Sequence, residues 1–475
     1  MKLKAFATSI LSLCGACVSA PSQNENSQPQ VNNSSPQAKV SADAVKGALD
    51  LPLNEKTLPA QVRVKTFAFK HRSPVGTVFY PKKFSFSEGG WSAASRVEKT
   101  PGNFAANEIW TVNDRGLNLY LEAKDSKGNV KFKDGDRYFP VPAFNQSIFR
   151  LQLKDNGEGE IVEQIGLKYL GAPTNGLPSS LLELATGEHG YGFKPAKGPF
   201  FSLTRTPRGF DFEGLAQTFN AEGKPEFWLV EEYGPSILRS DAQGNINQRW
   251  SPSKQADIEA HSLPWVLRHR ADNRGFEGLT VSGRYVLAAL QSPLDAKGGA
   301  SGEKGHGNKD TPIHRIVRIN RDNGSVEQFA YNHSEKAALG IKHKDVKIGD
   351  LAALDTSGNR FLILEHSNSR KHLVLIEAVI NETTTRLGNS VGYESGKLPY
   401  KPLESRVIAD LAPLLVGLEL PEKAEGITFF NSNTLVIVFD DDFCVDAALA
   451  DKPAAKECEN LAVTIEFPTP LFASN

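Results

Sequence analysis

The sequence predicts an all-β chain folded as a β-propeller. Three observations carry this: an acidic motif that recurs at blade-like spacing, an apolar strand after each copy, and little helical periodicity. Phe212-Glu213-Gly214-Leu215 returns as Phe276-Glu277-Gly278-Leu279, then in weaker form as Gly349-Asp350-Leu351 and Glu425-Gly426-Ile427. Some 14 to 19 residues after each acid, an apolar strand ends on a polar position. Those ends are Trp228-Leu229-Val230-Glu231-Glu232, Leu287-Ala288-Ala289-Leu290-Gln291, Phe361-Leu362-Ile363-Leu364-Glu365 and Val436-Ile437-Val438-Phe439-Asp440. The earlier Trp110-Thr111-Val112-Asn113-Asp114-Arg115-Gly116 aligns with Trp228 to Gly234 without a gap.

The chain opens on a segment expected to be removed or anchored. Lys2 and Lys4 precede an apolar stretch, Ala5 to Leu13, that is too short to span a bilayer. Cys14-Gly15-Ala16-Cys17 resembles a lipobox, with Cys17 as the lipidation site, while Val18-Ser19-Ala20 offers a signal-cleavage alternative. Residues 1–17 are therefore read as a lipoprotein-type signal peptide and 18–57 as a polar tether that cannot bury enough apolar surface to fold. The expected location is the periplasm or outer membrane, with membrane contact only through the lipid.

The propeller domain is assigned to 58–472. It begins with the alternating Val62 to Phe69 and continues through short β-rich runs: Ser147 to Leu153, Ile161 to Tyr169, Ile313 to Ile319, Val326 to Tyr331 and Leu373 to Val379. Short helices are expected in connections at Ser179 to Ala185, Ile258 to His269 and Asp410 to Gly417. Motif-bearing units start near Gly89, Glu213, Glu277, Asp350 and Glu425, and 58–88 with 465–472 supply a further blade. The expected count is six four-stranded blades, with five or seven as alternatives. Insertions at 170–211 and 293–312 interrupt the pattern, the second glycine-rich and suited to a loop over one face.

Forty glycines and 28 prolines among 475 residues suit many strands and turns. Lys plus Arg (54) nearly cancels Asp plus Glu (55), so no basic excess points to nucleic acid. Cys444 and Cys458 lie 14 apart in a polar loop and are expected to pair outside the cytoplasm. No cysteine spacing suits a metal.

If each motif starts an inner strand, Glu213, Glu277, Asp350 and Glu425 gather near one axis, with Asp114, Glu232, Glu365 and Asp440 as a second set. Two carboxylates ~6 Å apart repel by roughly 3 kcal/mol at an effective dielectric near 20. Such a group needs protons, basic partners or divalent cations, and oxygen-only donors favour Ca²⁺, with Mg²⁺ the alternative. Each glutamate also has a purely structural reading, in which it accepts backbone amides and locks adjacent blades. Arg268, Arg270 and Arg274 flank the Glu277 motif and suit a phosphate or carboxylate, with Arg268 or Arg270 the candidate contact to a developing anionic charge; salt bridging or surface charge is their other reading. His261, His269, His306, His314 and His366 show no diagnostic pairing, and Ser92 lacks a nucleophile elbow.

These residues, in order, resemble the phytase-like family, the "esterase-like activity of phytase" domain. Gly89-Gly90-Trp91-Ser92 is similar to its opening element. It is followed by Trp110 to Asp114, Phe210-Asp211-Phe212-Glu213-Gly214-Leu215, Asn273-Arg274-Gly275-Phe276-Glu277-Gly278-Leu279, Asp350 to Leu354 and Lys423-Ala424-Glu425-Gly426-Ile427. The resemblance covers about residues 75–467. It departs at Ala93-Ala94 and at His366, and the Asp-x-Asp-Asp-Pro-Ala signature of propeller phytases is absent. The resemblance implies a bacterial exported propeller and a phosphoester hydrolase supported by acidic residues. The expected function is a calcium-dependent phosphoesterase acting on a small phosphoester or other anionic substrate. A non-catalytic envelope-binding propeller and a calcium-dependent lactonase or esterase are the alternatives.

Overall fold

Five sheets form a closed ring, which is how the recurring motif is read out in three dimensions. The computed structural model describes residues 61–69, 74–121, 135–180, 188–194, 200–252, 258–271, 273–295, 311–333, 341–367, 371–445 and 460–472, with 3–4, 55–57 and 449. The expected lipidation at Cys17, the body of the signal and tether, and Cys458 lie outside these residues.

The first blade comprises Trp91–Thr100, Asn103–Asn113, Ser147–Leu153 and Gly159–Gly166, from the axis outward. The second comprises Phe212–Phe219, Pro225–Glu231, Ser236–Asp241 and Ile246–Ser251, with Glu259–Ser262 added in parallel at its edge. The third runs through Phe276–Ser282, Tyr285–Leu290, Ile313–Asn320 and Val326–Asn332. The fourth runs through Lys347–Ala353, Arg360–His366, Leu373–Val379 and Glu404–Asp410. The fifth holds Lys423–Asn431, Thr434–Asp440, Asn460–Glu466 and Arg63–Ala68, with Glu55–Thr57 beyond.

That last pairing corrects the expected blade count. Arg63–Ala68 does not seed a sixth blade; it pairs antiparallel with Asn460–Glu466 and so becomes the fourth strand of the last blade. Ring closure thereby joins the two ends of the domain, and the inner strand of the fifth blade packs against that of the first. The segments at 74–78 and 84–87 form a separate hairpin. It packs through Val78 and Phe86 on an apolar cluster with Leu119, Tyr138 and Phe443.

The core is divided among the blade interfaces. Ala93, Val112 and Ile148 pack on Phe212 and Leu229 between the first and second blades. Trp228 and Val230 pack on Phe276 and Leu290 between the second and third. Equivalent clusters join third to fourth, fourth to fifth and fifth to first. Alternation along each strand places these apolar residues on both faces, because every blade is covered on two sides. The expected helix over 258–269 is instead the edge strand followed by a 3₁₀ turn at Trp265–His269, and the one at 410–417 is a 3₁₀ turn at Pro413–Leu415. Pro264 falls inside the expected 258–269 helix and removes an amide that it needs.

Candidate metal and anion site at the propeller axis

Four of the five inner strands carry a β-bulge at the acidic motif. Register slips by one residue between Phe212 and Gly214, Phe276 and Gly278, Ile348 and Asp350, and Ala424 and Gly426. Glu213, Glu277 and Glu425 are the extra residues, and a bulge of this kind re-aims a side chain out of the ladder. The glycine after each glutamate meets the neighbouring blade. A Cβ on Gly278 would stand 2.8 Å from Asp350 Cα, and one on Gly426 would stand 2.3 Å from the Ala93 carbonyl carbon. Glycine is required there because backbone packs on backbone.

The fourth blade permutes the motif. Gly349 occupies the glutamate position and Asp350 the glycine position, so the Asp350 side chain projects where the other blades have none. Its Oδ1 accepts the amides of Leu279 (3.2 Å) and Leu351 (2.8 Å), and its Oδ2 those of Ala94 (3.2 Å) and Ile427 (2.9 Å). Burial pushes its pKa well above the ordinary carboxylate value, and the four amides oppose that shift. Both Asp350 oxygens are thus already held by backbone amides of four blades.

The remaining acids converge unevenly. Asp211, Glu213 and Glu232 bring one carboxylate oxygen each to within 4.8 Å of one another, and all three are buried. Asp211 is hydrogen-bonded to Glu213 and also receives Arg115, whose Nη1 lies 3.2 Å from its Oδ2. Burial first, then Glu277, Asp211, Glu425 and Glu232, raise Glu213 well above its ordinary pKa. Burial and Asp211 push Glu232 up to about 7. Glu232 Oε1 and Glu277 Oε2 have no hydrogen-bond partner, although a buried carboxylate oxygen normally has one. Glu277 Oε1 accepts Gln291 Nε2 at 2.5 Å, and Ser92 Oγ donates to Glu425 Oε2 at 3.2 Å.

Other predicted residues have different company. Asp440 is bridged by Lys423 Nζ at 2.6 Å, which also reaches Asp442 at 2.7 Å, so an internal ammonium stands between these acids. Asp114 accepts the Gly116 amide at 2.7 Å and lies in the field of Asp211. Glu365 faces the interface of the third and fourth blades, where Tyr331 Oη donates to it at 2.6 Å and His372 Nε2 lies 2.6 Å away. Arg270 donates to the carbonyls of Tyr233 and Ala271 and braces the backbone. Arg268 sits on the Trp265–His269 turn. Cys444 donates its thiol to Asp441 at 3.3 Å.

The cations near the axial acids are Arg115, Arg274, Lys347 and Lys423. Arg274 flanks the Glu277 motif and is legible in the sequence as a candidate anion contact, whereas Arg115, Lys347, Lys423 and Asp211 do not stand out there, although Asp211 precedes Glu213 by only two positions. Arg115 is anchored by Glu188 (2.9 Å) and Asn273 (2.8 Å) as well as Asp211. The arrangement is a buried group of oxygen donors with open valences beside a cluster of bases. Such a site suits a hard divalent cation carrying an anionic ligand.

Residues 89–443 match the family model described as phytase-like, esterase-like activity of phytase. No curated protein matches the chain. Among solved structures, an exo-β-1,3-galactanase from Clostridium thermocellum is 9% identical, with 69% of this chain and 68% of that one covered at a TM-score of 0.25. Drosophila semaphorin 2a is 10% identical over 67% of this chain and 52% of its own, about half its length, at 0.27. Sqt1 of Chaetomium thermophilum is 10% identical over 78% and 83%, also at 0.27. Overlaps this shallow carry no argument about chemistry.

Proposed function

The chain belongs to the phytase-like family, and on that premise we propose that it is a calcium-dependent phosphoesterase whose centre is the acidic group at the propeller axis. The observation that carries the reading is the convergence of Asp211, Glu213 and Glu232, with Glu232 Oε1 and Glu277 Oε2 buried and unpartnered. These four residues would hold the ion. The donor set fits a hard cation, because the convergent ligands are all oxygens and, among the described residues, no imidazole or thiolate joins them. A bound calcium supplies charge neutralisation at phosphoryl oxygens and lowers the pKa of a water nucleophile.

The protein's own groups prepare the site. Arg115 holds Asp211 in place and partly offsets its charge. Gln291 fixes Glu277 through one oxygen and leaves the other open. Mg²⁺ is the alternative ion. Export to the cell envelope, with a lipid anchor at Cys17, is part of the same proposal and rests on the leader-like sequence.

The direct test is to assay the purified protein against phosphomonoesters, phosphodiesters and lactones with and without a chelator. Chelator-sensitive release of phosphate is expected. A fall in melting temperature on chelation, with no turnover of any substrate, would instead assign calcium a stiffening role in a binding propeller.

A further inference from the structure

The basic side of the axial site shows the same imbalance as the acidic side, with the opposite sign. Lys347 begins the inner strand of the fourth blade, and His366, at the end of the next strand, is its direct cross-strand partner. Paired residues of this kind present their side chains to one face. Arg274 enters the third blade and donates through Nη1 to Gln291 Oε1. The same Gln291 accepts the Ile348 amide on its carbonyl at 3.1 Å, so one residue ties Arg274 to the strand that carries Lys347.

Each of these groups keeps an open hydrogen-bonding position. Among the described residues, no hydrogen bond or ion pair reaches the half-buried Lys347 ammonium. His366 Nε2 and Arg274 Nε are buried without acceptors or donors, and His366 is 3% exposed. Burial first, then Lys347, His372, Arg274 and Lys423, hold His366 well below its usual pKa. Burial and Arg274 lower Lys347 to about 8, against the pull of Glu277 and Glu425. Those two glutamates are bonded to Gln291 and Ser92, and neither forms an ion pair with Lys347. A lysine and an arginine with open hydrogen-bonding capacity, beside a neutral imidazole, call for an anion, and a planar guanidinium near an ammonium suits a tetrahedral oxyanion.

We propose that Lys347, Arg274 and His366 form an anion subsite beside the carboxylate cluster, which receives a tetrahedral oxyanion and, in the substrate, the phosphoryl group of a phosphate ester. The substrate assignment rests on the phosphoesterase reading above; the anion site stands on these residues alone. A phosphoryl group there would lie between the bases of the third and fourth blades and a cation held by Asp211, Glu213, Glu232 and Glu277. A neutral ester or lactone leaves Lys347 and Arg274 unpaired, so the subsite selects charged substrates over neutral ones.

The test is calorimetric titration of the full-length protein with inorganic phosphate in the presence of calcium, alongside a separate calcium titration. Saturable phosphate binding is expected, weakened at least tenfold by Lys347→Met and measurably by His366→Gln, with calcium affinity retained in both. Should Lys347→Met also lose calcium, Lys347→Arg decides: retained phosphate binding supports the subsite, and lost binding overturns it. Absence of phosphate binding by the wild type, or an unchanged affinity in Lys347→Met, overturns the proposal. Failure of the wild type to bind calcium, with phosphate binding intact, overturns the cation reading and leaves the anion subsite standing.

Discussion

Asp350 Oδ2 accepts the backbone N–H of Ile427 at 2.9 Å, so that a carboxylate of the fourth blade is held by the inner strand of the fifth. Amides of Ala94 and Leu279 complete the junction from the first and third blades. This carboxylate replaces a glycine in the repeat and serves as an axial staple.

Asp350→Asn is therefore expected to destabilise the fold by about 2–4 kcal/mol, because an amide NH₂ would face backbone donors and leave them unsatisfied. Calcium affinity should change little. Denaturant unfolding beside a calcium titration checks both, and a stable variant that has lost calcium would place Asp350 in the metal shell.

Glu232→Gln should lower calcium affinity at least tenfold while making the calcium-free protein more stable. With its pKa raised to about 7 from the usual 4.5, Glu232 binds more protons folded than unfolded over that interval. Its contribution to stability is thus present below pH 4.5 and lost as pH rises through 7. The cost at pH 8 is on the order of 3 kcal/mol, which the glutamine avoids. Melting temperatures of both proteins in chelator at pH 8 read this directly. Glu277→Gln should likewise reduce calcium affinity and turnover.

Calcium binding should release protons near neutrality, because the ligand carboxylates must ionise. Affinity is expected to rise from pH 6 to 8. Titrations in two buffers of different ionisation enthalpy measure the release, and a binding constant flat across that range would count against Glu232 as a ligand.

A histidine chain makes the opposite contribution to pH dependence. His314 Nε2 lies 3.0 Å from His333 Nδ1, and His333 Nε2 lies 2.7 Å from His343 Nδ1. Burial is the main cause that lowers His314 to about 4 and His333 to about 3. Both values are depressed, so the unfolded chain binds more protons between pH 6.5 and these values. Stability is full above 6.5 and falls as the pH drops toward 4. His333→Gln should flatten this acid limb in a urea-midpoint series, and an unchanged limb would remove the histidines as its source.

Gly426→Ala is expected to lower stability by about 1–3 kcal/mol or more, since the new Cβ would stand 2.3 Å from the Ala93 carbonyl carbon. The strands concerned close the ring. Thermal unfolding checks the effect, and a melting temperature equal to wild type would show that the blades separate at no cost.

Much of the architecture is legible in the sequence because each blade repeats its own local code. Ser147–Leu153 and Leu373–Val379 are strands at their predicted bounds. Glu213, Glu277 and Glu425 fall at equivalent bulges because the bulge, the glutamate and the following glycine are neighbours in the chain. Gly349-Asp350 was visible as a weaker copy, yet its one-residue permutation appears only in the strand register.

What the sequence by itself determined is the repeating β unit, the membership of a propeller and the return of acids to one axis. These follow from short-range patterns of apolar alternation, turns and bulges. Tertiary structure alone decided that Arg63–Ala68 completes a fifth blade instead of opening a sixth, because its partner strand lies at the far end of the domain. It also decided which acids are occupied. Lys423 bridges Asp440, and backbone amides, which carry no residue signature, saturate Asp350. Glu232 and Glu277 retain unpartnered oxygens because ring closure brings them together without supplying them donors.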